Sequence, residues 1–401
     1  MSAGSDAYIV DAIRSPLVRG RKDGQFSQLH PVSLFGQVIA SLVERTGVDG
    51  ASIDDVIGGC VTQIGEQSNN VTRNAVLAAG LPESVPGTTV DRQCGSSQQA
   101  AAFAAYGVQA GAYDLVIAGG VETMSTVPMF SNKDGRDAYG PDVDARYGAP
   151  LIPQGISAEL VAARWKISRE DMDAYAVRSH VTAAQSRADG LYARQIVPIT
   201  SLDADGGKFV VTEDDGIRPD SNVEKLATLR AAFVDADYEA RFPEISWSVT
   251  AGNASQISDG SSAMLIASEK AVADLGLRPR ARILASTAIG DDPIMMLTAI
   301  IPATQRALAR AGLSIDDIDA FEVNEAFASV VLAWLAETGA DPAKVNAHGG
   351  SIALGHPLGA SGTRLMTNLL TGLEATGGRY GLQTMCEAGG MANATIIERL
   401  D

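Results

Sequence analysis

The sequence between residues 54 and 120 reads, segment by segment, DDVIGGCVT (54–62), NNVTRNAVLAAG (69–80), GTTVDRQ (87–93), CGSSQQAAAFAAYGVQAGA (94–112) and DLVIAGG (114–120). The short segments rich in Val and Ile are typical of buried strands, and the longer alanine-rich segments are typical of helices. Strands and helices that alternate along a chain favour an α/β fold of packed layers. We therefore predict an α/β fold with a layered architecture.

The same order of segments returns near the other end of the chain, as DIDAFEVN (317–324), EAFASVVLAWLAETG (325–339), KVNAHGG (344–350), GASGTRLMTNLLTGLEATG (359–377) and YGLQTMCEAGG (380–390). The tetrapeptide Ser-Ile-Asp-Asp occurs at 52–55 and again at 314–317, an offset of 262 that aligns Cys94 with His356. IAGG at 117–120 and the later EAGG differ by 270, which predicts one or two inserted helical turns. Two similar lobes would bring equivalent strand-to-helix junctions together at one interface, where we expect the functional site.

A chain of 401 residues is too long for one ordinary core, so we expect more than one lobe. We place an N-terminal lobe at 1–275 and a C-terminal lobe at 276–401, with an inserted loop subdomain at about 125–250 that is rich in turn-forming residues. Within the insertion, Ser168 followed by acidic residues predicts the start of a helix. The irregular parts of the insertion are expected to cover a ligand.

Composition narrows the possible classes of function. Hydrophobic residues make up 46% of the chain and charged residues 20%, values typical of a globular protein. A formal net charge of −17 disfavours general binding to nucleic acid or to an anionic membrane. No apolar run reaches 18 residues and the first residues lack the pattern of a secretory signal, so we predict a cytoplasmic protein without a membrane segment.

The three cysteines, Cys60, Cys94 and Cys386, are widely separated and form no Cys-x-x-Cys pair, which predicts free thiols and no metal site. Cys94 differs from the other two because it lies in DRQCGSSQQA (91–100), among small and polar residues at the start of a predicted helix. We expect a thiol that is presented to a ligand and whose pKa is lowered by the helix N-terminus. The alternative is a small buried apolar residue.

Two of the four histidines fall in one glycine-rich segment, NAHGGSIALGHPLGASG (346–362). The sequence Gly-His-Pro-Leu-Gly holds the imidazole of His356 on a rigid turn before a predicted helix, and the glycines permit close approach of backbone or ligand. We therefore interpret His356 as a functional residue. His348 is either close to the same site or an ordinary turn histidine.

Two further polar positions follow predicted strands in the second copy of the repeat. Cys386 lies in MCEAGGMANATIIE (385–398), where paired glycines could turn backbone N–H groups toward a ligand. Asn324 ends the strand-like AFEV and precedes an apolar helix, so its residue type also suits a helix N-cap. From the residues alone, neither position has a single interpretation.

Four of these segments, in this order and at these separations, resemble the signature blocks of the thiolase family: DRQCGSSQQA, NEAFA (324–328), GHPLGASG (355–362) and CEAGGMANAT (386–395). TAGNAS (250–255) with Asp259-Gly260 resembles a fifth block, and the resemblance covers essentially the whole chain. It implies the thiolase fold, in which two similar lobes form layers in the order α-β-α-β-α with an inserted loop subdomain.

The resemblance implies a coenzyme-A-dependent acyltransferase without a tightly bound cofactor or a metal, for which coenzyme A is a substrate. The implied reaction is thiolytic cleavage of a 3-ketoacyl-CoA to acetyl-CoA or propionyl-CoA and a shortened acyl-CoA, and the alternative is the biosynthetic Claisen condensation that forms acetoacetyl-CoA. By the resemblance, Cys94 becomes acylated, His356 activates it and Cys386 protonates the departing carbanion. Proton transfers of this kind contribute about 10²–10⁴-fold in rate.

The resemblance also implies two oxyanion sites. One corresponds to His356 with a water held by Asn324, and the other corresponds to the backbone amides of Cys94 and Ala388. Removal of one oxyanion donor typically costs about 10²–10³ in rate.

Binding of coenzyme A is implied for two further residues. Ser255 of TAGNAS corresponds to a position along the pantetheine arm. Arg218 of IRPD (217–220) corresponds to a position near the phosphates, and a guanidinium group suits bidentate phosphate contact.

Three positions depart from the family's blocks. Ala388 takes the place of the first of three glycines, which is harmless only if its φ is negative. Ser97 replaces a common glycine and adds a hydroxyl near the acyl or pantetheine path. Gln154 stands where a methionine is common, which leaves the shape of the acyl pocket open. None of the three removes a reacting atom.

Three other classes of protein agree less well with the sequence than a thiolase does. A carrier-protein-dependent ketosynthase shares the architecture but uses two histidines with one cysteine, whereas NEAFA and Cys386 favour a thiolase. A non-catalytic CoA-binding or lipid-binding protein of the same fold would tolerate loss of the reacting groups, all of which are present. A Rossmann dehydrogenase is disfavoured because IAGGVETM (117–124) lacks Gly-x-Gly-x-x-Gly.

One segment bears on the pathway. VIGGCVTQIGEQSNN (56–70) resembles the degradative thiolases of steroid-metabolising bacteria, which implies fatty acid or steroid degradation. The expected partners are an acyl-CoA and coenzyme A. Because thiolases are dimers or dimers of dimers, the resemblance also implies a homotetramer.

Overall fold

A computed structural model describes residues 6–400, and the outermost ends of the two predicted lobes, residues 1–5 and 401, lie outside the described residues. Within residues 6–400 the chain forms twelve β-strands: β1 (Ala7–Arg14), β2 (Val18–Arg19), β3 (Asp55–Gly59), β4 (Gly87–Val90), β5 (Leu115–Thr123), β6 (Ile199–Leu202), β7 (Lys208–Val211), β8 (Ser258–Ser268), β9 (Ala281–Gly290), β10 (Ala320–Val323), β11 (Tyr380–Glu387) and β12 (Met391–Arg399). The same residues form thirteen α-helices: α1 (Pro31–Thr46), α2 (Val71–Ala78), α3 (Ser96–Gln109), α4 (Pro141–Tyr147), α5 (Gln154–Trp165), α6 (Arg169–Ala188), α7 (Val223–Ala227), α8 (Ala236–Arg241), α9 (Glu269–Asp274), α10 (Ile300–Ala311), α11 (Ala328–Thr338), α12 (Ser351–Leu354) and α13 (Ser361–Thr376). The predicted α/β fold is confirmed.

One large sheet runs through the protein in the strand order β10, β11, β12, β9, β1, β8, β5, β3, β4, and β2 adds a short pairing to β8. β3 pairs in parallel with β4 and β5, and β10 pairs in parallel with β11. β1 and β9 pair through only two residue pairs, Tyr8 with Arg282 and Ile9 with Ala281. The sheet therefore consists of two halves joined at a narrow seam, while β6 and β7 form a separate hairpin.

The two halves of the sheet repeat one another. In the first half Asp54 Oδ2 accepts a hydrogen bond from the backbone N–H of Leu115 (2.9 Å), and in the second half Asp319 Oδ2 accepts one from Tyr380 (3.0 Å). Each residue of the first pair is 265 residues from its equivalent, and α3 and α13 also begin 265 residues apart. The chain therefore contains an internal repeat, as its sequence predicts.

The spacing of 265 corrects the offsets of 262 and 270 expected from the sequence. The two Ser-Ile-Asp-Asp segments occupy different places, because Ser52 lies inside a 3₁₀ turn whereas Ser314 precedes the equivalent turn. Cys94 is consequently equivalent to Gly359, three residues after His356, and no helical turn is inserted. Cys94 and His356 therefore occupy positions of the repeat that are three residues apart and are not equivalent.

Residues 125–250 connect β5 to β8 and contain α4 to α8 and the hairpin. The prediction that a helix starts after Ser168 is confirmed, because Ser168 is the N-cap of α6 and exchanges hydrogen bonds with Asp171. Within the insertion, Glu159 on α5 accepts a hydrogen bond from the backbone N–H of Ser248 at 2.9 Å. The hydroxyl of Ser329 on α11 donates a hydrogen bond to the carbonyl of Ala158 on α5 (3.0 Å), so the insertion packs against the second half of the fold.

Helices α3 and α13 pack against each other at short range. A Cβ atom on Gly362 would lie 2.1 Å from the backbone nitrogen of Gln98, so this approach requires glycine. The Ser97 hydroxyl accepts a hydrogen bond from the N–H of Thr363 (3.0 Å) and links the first turns of the two helices. The Ser97 hydroxyl therefore takes part in packing between the helices, and this packing brings the segments that precede both helices to one region.

The hydrophobic core is divided among three main clusters: one around α1, one around α10 and α11, and one between α3, α13 and the sheet. The third cluster contains side chains from both halves of the repeat, so burial of apolar surface fixes the halves against each other. No helix between residues 6 and 400 has the length and the apolar character needed to cross a membrane.

Candidate active site

Cys94 lies in the turn that connects β4 to α3. Gln93, immediately before it, has φ of +49°, a left-handed conformation that non-glycine residues rarely adopt, and Asp91 accepts a hydrogen bond from its N–H at 2.7 Å. The turn places Cys94 directly before Gly95, the N-cap of α3. We expected a thiol that is presented to a ligand and not packed away. Cys94 is instead only 4% exposed and packs in an apolar cluster.

Burial also controls the ionisation of Cys94. Desolvation, and after it the charge of Glu387, raise the pKa of this thiol to about 12, although hydrogen bonds from the Gln154 carboxamide and a backbone N–H lower it. The prediction that the helix N-terminus lowers this pKa is therefore wrong, because desolvation outweighs the dipole of α3. Cys94 stays a neutral thiol until a base removes its proton.

His356 is 4% exposed and is held by the residues that follow it. Ser361 Oγ donates a hydrogen bond to the carbonyl of Pro357 (2.8 Å) and lies 2.6 Å from Nδ1 of His356. Since the hydroxyl has a single proton, Nδ1 carries the imidazole proton and Nε2 has a free lone pair. Burial, and after it the charge of Arg364, lower the pKa of His356 to about 3, so the imidazole is neutral.

Asn324 directly follows β10, and its side chain faces His356. Nδ2 of Asn324 lies 3.4 Å from Nε2 of His356, while Oδ1 accepts a hydrogen bond from the hydroxyl of Ser351 at 2.6 Å. The alternative that Asn324 is a helix N-cap is wrong, because α11 begins at Ala328 and its N-cap is Phe327. The carboxamide is therefore available to the site.

Cys386 lies on β11, one residue before the end of the strand, and is 1% exposed. Burial raises the pKa of its thiol, and the largest charge contribution comes from Cys94, so the two sulfurs are close enough to interact. The neighbouring Met385 packs in the same apolar cluster as Cys94 and Leu358. The structure thus brings the two cysteines together from opposite ends of the chain.

The site contains two interacting pairs of buried groups. Cys94 and Cys386 are neutral thiols that influence each other electrostatically, and the carboxamide of Asn324 faces the neutral imidazole of His356. These groups suit covalent acyl transfer through a cysteine, because one thiol can attack a carbonyl carbon and the other can protonate a leaving carbanion. Among residues 6–400, no group of three or more His, Cys, Asp or Glu side chains is arranged to hold a metal ion.

Hydrogen bonds to the carboxylate of Glu122 join the segment that carries His356 to the first half of the fold. Its buried carboxylate accepts hydrogen bonds from the backbone N–H groups of Gly359 (2.8 Å), Val61 (2.9 Å) and Thr62 (3.0 Å). Backbone donors from both halves therefore share one acceptor. The distance between the histidine segment and the first half depends on this carboxylate.

Ala388 lies in the turn that follows β11, where the sequence departs from three glycines. Gly389 and Gly390 have φ of +87° and +76°, whereas Ala388 is not among the described residues with positive φ. The Cβ atom of Ala388 is therefore compatible with the backbone of this turn.

The two residues implied in coenzyme A binding lie at the edge of this arrangement. Ser255 donates its backbone N–H to the carbonyl of Ala326 (2.9 Å), two residues after Asn324, so it flanks the site. The Arg218 side chain is exposed, and its backbone N–H donates to Nδ1 of His180 at 3.1 Å. Neither residue belongs to the buried group around the cysteines.

His348 lies elsewhere in the fold. Its Nδ1 is 3.2 Å from the hydroxyl of Ser186, and its ring packs over Gly372. Gly372 is eleven residues beyond the start of α13, which corresponds to roughly 16 Å along the helix. The interpretation of His348 as an ordinary turn histidine is therefore favoured.

The residues that hold His356 and Asn324 in place were not predicted from the sequence. Ser361 lies inside GHPLGASG and could have been found as a hydroxyl five residues after the histidine. Ser351 and Glu122 have no local sequence signal, because their partners are distant in the chain. Glu387 could have been noticed as the one acidic residue among small residues after Cys386.

Comparison with known families assigns most of the chain to two consecutive domains. The family model described as "Thiolase, N-terminal domain" matches residues 7–270, and the model described as "Thiolase, C-terminal domain" matches residues 277–399. Among solved structures, the crystal structure of the acetyl-CoA acetyltransferase of Bacillus anthracis is similar, with a TM-score of 0.88 and 36% identity over 100% of both chains.

Three curated proteins illustrate the range of relatives. The steroid 3-ketoacyl-CoA thiolase FadA6 of Mycobacterium tuberculosis is 48% identical over 99% of this chain and 95% of its own length. The beta-ketoadipyl-CoA thiolase of Acinetobacter baylyi is 44% identical over 98% and 99%. The 3-ketoacyl-CoA thiolase of Pseudoalteromonas translucida is 43% identical over 99% of each.

Proposed function

The chain belongs to the thiolase family, has the thiolase fold and is an acyltransferase that cleaves 3-ketoacyl-CoA thiolytically, and from that premise we propose which residues perform the reaction. The observation that carries the proposal is one hydrogen-bonded pair, Asn324 and His356, beside two thiols that interact electrostatically, Cys94 and Cys386. We assign these four residues to catalysis.

In the first step, the sulfur of Cys94 attacks the C3 carbonyl carbon of the 3-ketoacyl-CoA, and its proton passes to Nε2 of His356. Nε2 can accept this proton because Nδ1 holds the imidazole proton against Ser361, and the long hydrogen bond from Nδ2 of Asn324 (3.4 Å) gives way when the proton arrives. Since burial keeps Cys94 a thiol, the proton transfer accompanies the attack and does not precede it.

Cleavage of the C2–C3 bond leaves the acyl group on Cys94 and sends the electron pair to C2 of the departing acetyl-CoA or propionyl-CoA. The thiol of Cys386 protonates that carbon, and burial keeps this thiol protonated until it is needed. A second coenzyme A thiol then attacks the acyl group and gives its proton to the Cys386 thiolate. The Cys94 thiolate that leaves takes back the proton held by His356, so every group returns to its starting state.

Negative charge develops on two carbonyl oxygens during these steps. For the thioester oxygen we assign Nε2 of His356, after it has received the proton, and a water held by Asn324. For the oxygen of the group on Cys94 we assign the backbone N–H groups of Cys94 and Ala388. Each donor of this kind typically contributes about 10²–10³ in rate.

We propose that coenzyme A reaches the site past TAGNAS and the insertion. Ser255 is half-buried beside the segment that carries Asn324, which suits contact with the pantetheine arm. Arg218 is exposed on the insertion, which suits contact with phosphates that remain in water. Arg218→Ala should raise KM for coenzyme A without lowering kcat.

The experiment that tests the mechanism combines turnover with mass spectrometry. A panel of 3-ketoacyl-CoA esters, from acetoacetyl to ring-bearing acyl groups, is incubated with the enzyme and coenzyme A, and loss of the ketoester is followed. Without coenzyme A, the acyl group should remain on Cys94 and be found there by peptide mass. Cys94→Ala should lose both the adduct and turnover.

Cys60→Ala provides a matched control, because Cys60 is also buried and free but is not assigned to catalysis. This variant should still form the acyl adduct on Cys94. Normal turnover by Cys94→Ala would exclude the mechanism.

For the substrate we propose a ring-bearing 3-ketoacyl-CoA from steroid breakdown. Support comes from the 48% identity to a protein named as a steroid 3-ketoacyl-CoA thiolase, and from VIGGCVTQIGEQSNN. Gln154 lies beside Cys94 in place of a methionine, which makes the start of the acyl path more polar. In the panel, a ring-bearing ester should have the highest kcat/KM, and a preference for acetoacetyl-CoA would contradict this choice.

We also propose a homotetramer built as a dimer of dimers. β4 ends the sheet, so one of its edges has no strand partner within residues 6–400, and an unpaired edge can pair with a second copy. Phe103 and Tyr106 on α3 are exposed on the same half, and Phe130 and Tyr139 are exposed on the insertion. Light scattering of the purified protein should give four times the chain mass.

The boundaries of the lobes and the cellular location are also part of the proposal. The two lobes are taken as residues 1–275 and 276–401, with the insertion at about 125–250, which agrees with the narrow seam between β1 and β9. The location is taken as cytoplasmic, because three free thiols suit a reducing compartment. Fractionation of the source cells should place the activity with cytoplasmic marker enzymes.

A further inference from the structure

Glu387, the last residue of β11, carries a buried carboxyl group that the steps above do not use. Because side chains alternate along a strand, Glu387 projects from the face opposite Cys386 and from the same face as Met385. Met385 packs in the apolar cluster that contains Cys94. The Glu387 side chain therefore leaves β11 on the same face as Met385.

The carboxyl group rests against the backbone of Gly95, the residue that follows Cys94. A Cβ atom on Gly95 would come within 1.9 Å of Oε1 and 2.8 Å of Cδ of Glu387. The carboxyl group thus fills the space that a side chain at position 95 would need. It lies beside one cysteine and is attached next to the other.

No hydrogen-bond partner reaches either carboxyl oxygen of Glu387 from residues 6–400, and the residue is fully buried. A buried carboxylate without a partner is very unfavourable, whereas a neutral carboxylic acid is much less so. Burial accordingly raises the pKa of Glu387 well above its usual range. The group is therefore an acid in its neutral form when the enzyme is at rest.

Charged and titratable groups face Glu387 from three segments. Arg92, in the segment after β4, favours the carboxylate, and Asp91 in the same segment opposes it. The thiol of Cys94 faces it from the turn before α3, and the thiol of Cys386 is on its own strand. Among the charges around Cys94, that of Glu387 raises the pKa of the thiol most.

We propose that Glu387 is a positioning residue of the reaction: it serves as a neutral acid beside Cys94, and its ionisation suppresses formation of the Cys94 thiolate. This inference rests on the proposed role of Cys94 as the nucleophile. In a site without bulk water, a carboxylate opposes negative charge on a nearby sulfur much more strongly than it would in water. A neutral O–H group does not oppose that charge and can donate a hydrogen bond to it.

At alkaline pH, ionisation of Cys94 and ionisation of Glu387 have opposite effects on the reactivity of Cys94. Alkaline pH normally makes a cysteine more reactive, because more of it is thiolate. Here alkaline pH also ionises Glu387, and the resulting carboxylate raises the pKa of Cys94. The reactivity of Cys94 should therefore rise less steeply with pH than that of an isolated thiol.

The test is alkylation of Cys94 by iodoacetamide in the whole enzyme at pH 6 and pH 9, measured by peptide mass. In Glu387→Gln the side chain keeps its size but cannot ionise. We expect this variant and the wild-type enzyme to react within about twofold of each other at pH 6. At pH 9 the variant should react at least about tenfold faster, since a shift of one pKa unit is a factor of ten.

Glu66→Gln is the matched control, because it makes the same change at an exposed carboxylate that is not among the charges acting on Cys94 or Glu387, and it should change the ratio by less than about twofold. Glu387→Leu repeats the test if the glutamine variant does not fold. Equal ratios of variant to wild-type rate at pH 6 and pH 9 would overturn the proposal. This outcome is separate from failure of the proposed mechanism, which would instead appear as turnover by Cys94→Ala.

Discussion

Nδ2 of Asn324 lies 3.4 Å from Nε2 of His356, and a hydrogen bond to Oδ1 determines the orientation of this carboxamide. Ser351 donates its hydroxyl proton to Oδ1 of Asn324 and accepts a hydrogen bond from Nη2 of Arg364, both at 2.6 Å. Because Oδ1 is engaged by a donor, the amide nitrogen and not the oxygen faces the imidazole. A chain of hydrogen bonds thus leads from a buried guanidinium group on α13 to the proposed base.

Replacement of Asn324 tests this relationship. Asn324→Ala removes the donor next to Nε2 and should lower kcat by about 10²–10³ with a smaller change in KM. Asn324→Asp should be at least as harmful, because a carboxylate would stabilise the protonated imidazole and raise the pKa of His356. Ser351→Ala keeps the amide but frees it to rotate, so its loss should be smaller. A kcat for Asn324→Ala within threefold of the wild-type value would contradict the assignment.

Cys386→Ala should separate the two halves of the reaction. Cleavage of the C2–C3 bond requires the acid and should slow by at least about 10²-fold. Exchange of labelled coenzyme A into an acyl-CoA also passes a proton between coenzyme A and Cys386, but a thiolate leaves without protonation far more easily than a carbanion, so exchange should remain within about tenfold of the wild-type rate. Both rates can be measured by mass spectrometry on one preparation. Equal loss of both activities would mean that Cys386 is not specifically the acid.

The lowered pKa of His356 predicts how activity and stability depend on pH. The imidazole is neutral above pH 3, so kcat/KM should show no inflection near 6.5. The unfolded chain binds a proton at this residue below about pH 6.5 and the folded chain does not, so stability falls with decreasing pH between these values. The slope from this single group is about 1.4 kcal/mol per pH unit.

His356→Gln should therefore narrow the difference in Tm between pH 7 and pH 5, and it should also abolish acyl transfer to Cys94. His180→Gln is a useful contrast, because burial lowers the pKa of His180 to about 4 and its loss should narrow the same difference. The His180 variant should still form the acyl adduct. An unchanged Tm difference in His356→Gln would show that this imidazole is charged in the folded enzyme.

The class of fold and the candidate site residues were predicted from the sequence for different reasons. Alternation of apolar and alanine-rich segments is a local property, so the α/β layers and the start of α6 after Ser168 followed from it. Cys94, His356 and Asn324 were found because short motifs surround them. The offset of the repeat was misjudged because four identical letters, Ser-Ile-Asp-Asp, outweighed the positions of the turns.

The electrostatics of the site could not be predicted from the sequence. The pKa of Cys94 was expected to fall because a helix begins after it, but burial by residues from four distant segments raises it. Glu122 accepts a hydrogen bond from the backbone of Gly359, Glu387 fills the space beside Gly95, and both contacts exist only after the halves have packed. Long-range burial, unlike helix periodicity, leaves no pattern within a short window of sequence.

Gln154→Met tests the contact between the insertion and the nucleophile. The carboxamide of Gln154 lowers the pKa of Cys94, so its removal should raise that pKa. Alkylation of Cys94 at a fixed pH should then be slower in the variant. The acyl preference should also shift toward unbranched apolar chains in the substrate panel, because methionine is apolar and flexible. Faster alkylation in the variant would contradict the hydrogen bond.

Glu122→Ala tests whether the hydrogen bonds between the two halves position the base. The variant leaves three buried backbone N–H groups without their acceptor, and each loss costs about 1–3 kcal/mol. We expect a lower Tm and, because Gly359 is released near His356, a lower kcat at temperatures where the variant is still folded. Glu66→Ala removes an exposed carboxylate from the adjacent loop and should change neither quantity. If Glu122→Ala loses stability but keeps its kcat, the carboxylate supports the fold without positioning the histidine, and the segment around His356 is held by the packing of α3 against α13 alone.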